Sequence, residues 1–369
     1  MSRSESPKRH TSRFPPSVWM VLDDEYIPVE PIQKYLHYLD SLERSPNTIQ
    51  TYAYNLKLFW EFLQDNSLDW REINLEKLSN FIHWLRNPHK SVVSIQPIVS
   101  GRSEKTINEC LTTVCGFYEF QEGLGAFEGV DAYRYQMQRG SKYKPSLHHI
   151  SKGKEVKARL LKIKEPKTFP GCLTPEQVNT LVEASNCLRD NFLIRLLYET
   201  GLRIGEALGL RHEDMVTGKT NQIHVVPRAD NINLVRAKSG CERIVHVSKE
   251  LMQWYSAYLI EEYPEDIDCD FVFVVIKAPV KGEIGSPLTY KTVDSLFRRL
   301  SQKTDIKVNP HLLRHTHATE LIRAGWQMTY VQKRLGHSVI QTTINTYVHL
   351  SDEDLTHAYK EYLERKEDK

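Results

Sequence analysis

Apolar residues three and four apart dominate the first third of the chain. In SPNTIQTYAYNLKLFWEFL, residues Ile49, Tyr52, Leu56, Phe59 and Leu63 form one stripe, the pattern of an amphipathic helix. Ser45 is placed to cap that helix and Pro46 to occupy its first turn. NLEKLSNFIHWLRNP predicts another helix, stopped by Pro88. SEKTINECLTTVCGFYEFQEGL predicts one more, capped by Ser103, with Ile107, Leu111, Val114 and Tyr118 on a single face. A strong helix start follows near residue 174, where Thr174, Pro175 and Gln177 have capping-box spacing. In NFLIRLLYETG, Leu193, Leu196 and Leu197 face inward and Gly201 is the stop. LRIGEALGL then opens a new helix with Ile204, Ala207 and Leu208 inward.

Between residues 222 and 248 the period changes from helical to alternating. QIHVVP, NLVRAK and ERIVHVS read as strands, with SGC as a turn between the last two. FVFVVI at 271–276 is a buried strand or a short core segment. SPLTYKTVDSLFRRLSQKT is an amphipathic helix. HLLRHTHATELIRAG is helical, with Leu313, Ala318, Leu321 and Ile322 as its stripe, and TYVQKRL is a short helix ended by Gly336. SDEDLTHAYKEYLER carries Ser351 and Asp354 at capping spacing. These elements predict a two-domain, mainly α chain whose second domain is α+β with a small antiparallel sheet. The expected boundaries are a flexible tail at 1–25, a helical domain at 26–130, a basic linker at 131–170 and a second domain at 171–369.

Composition narrows the function little. The 369 residues carry a formal net charge of only +2, but residues 131–170 hold eleven Lys/Arg against three acids. Such a run is a solvated linker or a clamp for a phosphate backbone. Lys152, Lys154 and Lys157 are its candidate contacts. The six cysteines show neither CxxC pairing nor Cys/His ligand spacing, which fits a reducing cytoplasm and no metal site. No apolar run approaches membrane length, and the N-terminus lacks the apolar core of a signal peptide.

Several polar residues stand where a phosphate could be held. His311 and Arg314 are three apart, hence neighbours on a helix. Arg203 follows the Gly201 break, where a guanidinium beside helix N-terminal amides can cradle an anion, although a surface salt bridge is the ordinary role of such a residue. Lys238 is the single lysine between Lys219 and Lys249 and abuts the predicted turn. An edge-strand lysine that discourages aggregation would look the same. His311, His315 and His317 have an HxxxHxH spacing, but Arg314 in their midst would repel a cation.

TGLRIGEAL, a hairpin lysine, HLLRHTHAT, LGH and TY, in that order, resemble the catalytic boxes of the tyrosine recombinases, the phage-integrase family of DNA strand-exchange enzymes. The resemblance implies a SAM-like core-binding domain followed by a catalytic domain. It implies a catalytic set of Arg203, Lys238, His311, Arg314, His337 and Tyr347, the last as nucleophile. It also implies that the helices starting near Thr48, Thr51, Lys105 and Thr106 lie against the duplex and position its backbone. Tyr347 lies ten residues beyond His337, against nine in many chromosome-resolving members. On a continuous helix one extra residue turns a side chain by about 100°, so the VIQTTIN loop must absorb it. KSGCER is also poorer in glycine and lysine than the usual family hairpin.

On this reading the chain cuts and rejoins double-stranded DNA through a 3′-phosphotyrosine, without cofactor, metal or ATP. The polar N-terminus and the tail favour a transposon-encoded member working as a tetramer, or with sister recombinases, on two duplexes in the cytoplasm, associated with the nucleoid. A chromosome-dimer-resolving recombinase or a type IB topoisomerase would share the chemistry. A non-catalytic DNA-binding accessory subunit would not need all six side chains.

Overall fold

The computed structural model describes residues 19–86, 101–126, 133–137, 155–159, 161–166, 171–228, 231–233, 235, 242–265, 267–278 and 283–336. The chain divides into two compact units, Met1–Lys167 and Thr168–Lys369.

The first unit is built on four helices: α1 (Glu30–Ser41), α2 (Pro46–Asp65), α3 (Leu75–Arg86) and α4 (Glu104–Gly123). The two long helices start alike. The Ser45 hydroxyl accepts from the Thr48 amide at 3.2 Å, and Ser103 accepts from Thr106 at 3.3 Å, each cap contributing about 1 kcal/mol. Their apolar stripes meet in one core, in which Leu56, Phe59, Phe81, Ile107, Val114 and Phe117 are inaccessible to solvent. A polar latch crosses that core. Asn55 donates to Thr113 Oγ1 at 3.0 Å and accepts from the Cys110 thiol at 3.3 Å, so the buried amide is satisfied from the facing helix.

The segment expected to be a linker contains regular structure. Strands β1 (Tyr133–Met137) and β2 (Glu155–Arg159) pair antiparallel, Tyr133 opposite Arg159. Residues 161–166 then return to α4, where the Asn108 side chain pairs with both backbone groups of Ile163, at 2.9 and 3.0 Å.

The second unit comprises, in chain order, α5 (Pro175–Glu183), α6 (Leu188–Thr200), α7 (Ile204–Ala207), β3 (Met215–Val216), β4 (Gln222–Val225), β5 (Arg243–His246), α8 (Lys249–Glu261), α9 (Tyr290–Thr304), α10 (Pro310–Arg323) and α11 (Met328–Leu335). The capping box at Thr174 and Gln177 forms, and Gly201 ends α6 in the left-handed region at φ 63°. The sheet order is β3-β4-β5, all antiparallel.

Of NLVRAK only Asn233 and Val235 are described, and neither lies in a strand; the rest lies outside the described residues. Strand β4 pairs with β5, Ile223 opposite Val245. Asn231 and Asn233 bind the backbone around them. Asn231 donates to the Val235 carbonyl at 3.0 Å, and Asn233 donates to the carbonyls of Leu208 and Leu288 at 3.1 and 2.8 Å. Short amides that bind nearby backbone compete with a ladder. FVFVVI runs through the core between isolated bridges at Phe271 and Val274, pairing on both sides: Val272 N donates to Leu210 O, and Leu288 N to Phe273 O, each at 3.0 Å.

Candidate active site

Helix α10 differs from an ordinary amphipathic helix. Asn309 caps it and Pro310 sits in its first turn. Every residue from Leu313 to Thr319 is then buried, including Arg314, His315, Thr316 and His317. Burying so many polar groups is costly unless each finds a partner. The partners come from α6, α11 and the chain just before α5. The Thr316 hydroxyl accepts from Leu173 N at 3.0 Å. Arg314, 2% exposed, donates to Gly201 O at 2.6 Å and to Leu335 O at 2.7 Å.

Gly201 is required here twice over. Its positive φ favours glycine, and a Cβ at this position would stand 2.7 Å from the His317 ring and 2.8 Å from a Leu335 methyl. That close approach brings the α6–α7 corner onto α10 and α11.

Arg203 lies at the N-terminal edge of α7, facing the same place. Its Nη1 donates to Glu206 Oε1 at 3.1 Å, to Gly336 O at 3.2 Å and, weakly, to Leu335 O at 3.5 Å. Arg243, from β5, donates through Nε to Arg334 O at 2.9 Å. Three successive carbonyls at the end of α11 thus each accept from a different arginine. Those carbonyls lack intrahelical donors and carry the negative end of the helix dipole. The turn they form ends at Gly336, left-handed at φ 66°.

The carboxylate opposing this positive cluster is Glu206. It accepts from Arg243 at 3.1 and 2.7 Å, from Arg203 Nη1 at 3.1 Å and from the Arg203 amide at 2.9 Å. Burial pushes its carboxyl up, but the hydrogen bonds and charges of Arg243 and Arg203 outweigh that and hold it at about 2. Arg334 donates to His317 Nε2 at 3.0 Å. Burial, together with the charges of Arg334 and Arg314, brings the His317 imidazole down to about 3. The ring is therefore neutral and serves as an acceptor.

A histidine held neutral in the fold contributes stability above its free value of 6.5, and that contribution is lost as pH falls toward about 3. Nuclear magnetic resonance should show the His317 ring unprotonated throughout this window. His317→Phe should melt lower at neutral pH, with a flatter dependence of Tm on pH across it. An imidazole that titrates near its ordinary value would contradict this arrangement.

Of the expected site residues, Arg203 and Arg314 meet at Leu335 O. His311 stands exposed in the first turn of α10, three residues before Arg314. Lys238, His337 and Tyr347 lie outside the described residues, as do Lys152 and Lys154. His337 directly follows Gly336 in sequence. Lys157 lies in β2 opposite Tyr135. Thr48 and Thr106 share their hydroxyls with the cap serines at 2.8 and 2.9 Å, Thr51 bonds the Asn47 carbonyl at 2.8 Å, and Lys105 is exposed.

Two residues of the arginine cluster were missed from sequence. Glu206 had a signal, its capping-box spacing from Arg203. Arg243 had a weaker one: it alternates inward with Val245 on a strand whose Ile244 is exposed.

Comparison with known proteins gives this cluster a context. A profile described as the phage integrase family matches residues 172–354, and one for the phage integrase N-terminal SAM-like domain matches residues 32–123. Transposase A of transposon Tn554 from Staphylococcus aureus is 44% identical over 356 residues, 96% of this chain and 97% of the relative. The chain belongs to the phage integrase family. It is a tyrosine recombinase, of the class of DNA strand transferases. More distantly, tyrosine recombinase XerA from Thermococcus onnurineus is 26% identical over 85% of this chain and 89% of its own length.

Solved structures of this recombinase family share the fold. The Tn1549 transposon integrase in complex with circular intermediate DNA aligns at TM-score 0.59 and 18% identity, covering 90% of this chain and 99% of that one. The XerH recombinase bound to its difH substrate in a post-cleavage complex aligns at TM-score 0.57 and 19% identity, covering 84% of this chain and 78% of that one. The two-domain, mainly helical architecture with a small antiparallel sheet is accordingly that of a tyrosine recombinase.

Proposed function

We propose that the chain is the site-specific transposase of a mobile element, cutting and rejoining double-stranded DNA through a covalent 3′-phosphate link to Tyr347. The observation that carries this reading is the convergence of Arg203 and Arg314 on Leu335 O at the end of α11, two residues before His337 in sequence. In that place two guanidiniums can bind the non-bridging oxygens of a phosphodiester and oppose the charge that grows as phosphorus becomes pentacoordinate. The phenol oxygen of Tyr347 attacks phosphorus, the new O–P bond forms, and the bond to the 5′-oxygen breaks. His311 accepts the phenolic proton, Lys238 protonates the departing oxygen, and His337 holds the phosphate in line. The covalent link preserves the phosphoester, so another 5′-hydroxyl can rejoin it without ATP. The arginines supply the positive charge, so adduct formation should proceed in EDTA.

The near full-length likeness to Transposase A supports the transposon assignment. The helical unit, with Thr48, Thr51, Lys105 and Thr106 at two helix starts, would lie against the duplex backbone. The basic run at 131–170, which joins the expected domains at 26–130 and 171–369, would contact the phosphate backbone as well. The working assembly would be a tetramer, or a mixed assembly with sister recombinases, on two duplexes in the bacterial nucleoid.

The test is covalent trapping on a nicked suicide duplex that carries the end sequence of the encoding element, with EDTA present and the adduct mapped by mass spectrometry. An adduct at Tyr347 is expected. Intact binding without an adduct would point to an accessory role. Neutralising Lys152, Lys154 and Lys157 together to glutamine should weaken binding and lower the salt slope of log K by about 2 to 3, near 0.9 per lost phosphate contact. An unchanged slope would remove these lysines from the clamp.

A further inference from the structure

We propose that Arg243 is a positioning residue of the strand-transfer site. Its guanidinium is fixed between the Glu206 carboxylate and the Arg334 carbonyl, and it sets where the Arg203 guanidinium and the Gly336 turn stand. The inference rests on the strand-transfer reading above, because it assigns how that site is held in register.

The geometry makes Arg243 a three-point bracket. Nη1 and Nη2 engage the two Glu206 oxygens at 3.1 and 2.7 Å, while Nε reaches Arg334 O at 2.9 Å. The planar fork can satisfy all three at once; an ammonium on a flexible stem cannot fix the same directions. The guanidinium is held from the strand side by β5, where Arg243 pairs with Val225 across the ladder. It lies so close to the α11 terminus that a Cβ at Gly336 would meet Nη1 at 2.7 Å. Gly336 thus allows both the left-handed turn and this approach.

Consider what happens to Glu206 when this bracket is removed. Among the described residues, Arg243 and Arg203 each give its two oxygens two hydrogen bonds. With Arg243 neutralised, the buried carboxylate keeps its bonds from Arg203 and pulls harder on that guanidinium. The Arg203 guanidinium would be drawn toward Glu206 and away from a phosphate. The other charged or titratable groups at this junction are Arg314 and His317 on α10 and Arg334 on α11. Of these, Arg314 is anchored on Gly201 O and Leu335 O, and Arg334 on His317, His246 O and Glu199 O. The Arg334 carbonyl would also lose the Arg243 donor, loosening the turn at Gly336.

A merely structural ion pair would affect melting alone, so the test reads chemistry separately. Arg243→Gln and Arg243→Lys should be compared with wild type on the nicked suicide duplex, at saturating protein and in a single turnover. Affinity is measured by fluorescence anisotropy on the same duplex. Both variants should bind within a few-fold of wild type and form the adduct about 10- to 100-fold more slowly, the scale of a small displacement of reacting groups. In Arg243→Gln the defect should deepen as pH falls, because Glu206 has lost the Arg243 hydrogen bonds and charge that hold its carboxyl down and titrates higher. Wild type and Arg243→Lys should lack this added acid limb.

Cleavage by Arg243→Gln at the wild-type rate, with a parallel pH profile, would overturn the proposal. If Arg243→Gln fails to fold, Arg243→Lys decides: wild-type cleavage by that variant would show that charge suffices and overturn the bracket. Absence of an adduct from wild type itself would overturn the strand-transfer reading, and this inference with it.

Discussion

Arg314→Ala is expected to slow covalent adduct formation by at least about 10²- to 10³-fold, the scale for deleting one donor to a developing anion. It should lower the melting temperature as well. The guanidinium is buried and satisfies Gly201 O and Leu335 O. Leaving either carbonyl without a partner costs about 1–3 kcal/mol. Two losses are thus superimposed, and Arg314→Lys separates them. Lysine keeps the charge and most of the volume but cannot reach two carbonyls and a phosphate with fixed geometry. This variant should fold and bind DNA while still cleaving slowly in a single-turnover assay. A lysine variant that cleaves at the parent rate would reduce Arg314 to a scaffold for the α6–α11 contact.

Tyr347→Phe is expected to abolish the adduct, a loss on the order of 10⁴-fold or more for removal of a nucleophile. Affinity for the same duplex should stay within about twofold, since one hydroxyl among many backbone contacts carries little binding. Gel-shift titration and denaturing electrophoresis on one set of samples check both parts. A persisting adduct would name another phenol. Tyr330 on α11, 56% exposed, Tyr359 and Tyr362 are the nearby alternatives.

These experiments probe one design from two sides. The charge that would act on phosphorus comes from residues whose own positions depend on each other. Arg314 ties α6 to α11, Arg203 ties α7 to the same helix end, and Arg243 ties the sheet to both. A substitution at any of them should therefore alter rate more than binding, and combinations should be far from additive.

The local chemistry of the chain was written in its sequence. Ser45, Ser103 and Thr174 cap the helices they precede, and Gly201 and Gly336 end theirs, because each signal acts within a few residues along the backbone. The stripes of α2 and α4 were equally plain, since burial of one helix face repeats every three to four positions. The likeness of the arginine boxes was carried by the same short stretches.

Tertiary structure decided the rest. Asn231 and Asn233 bind carbonyls of the loop and of distant segments, which no local pattern announces. Helix α10 shows a weak stripe because it is buried on nearly all sides, its polar residues paired with neighbouring elements. The decisive contacts span 113 residues from Arg314 to Gly201, 133 from Arg203 to Gly336 and 37 from Arg243 to Glu206. No periodicity encodes contacts at such separations. They exist because packing closes the α6–α7 corner onto the end of α11, where free carbonyls and one buried carboxylate hold the arginines together.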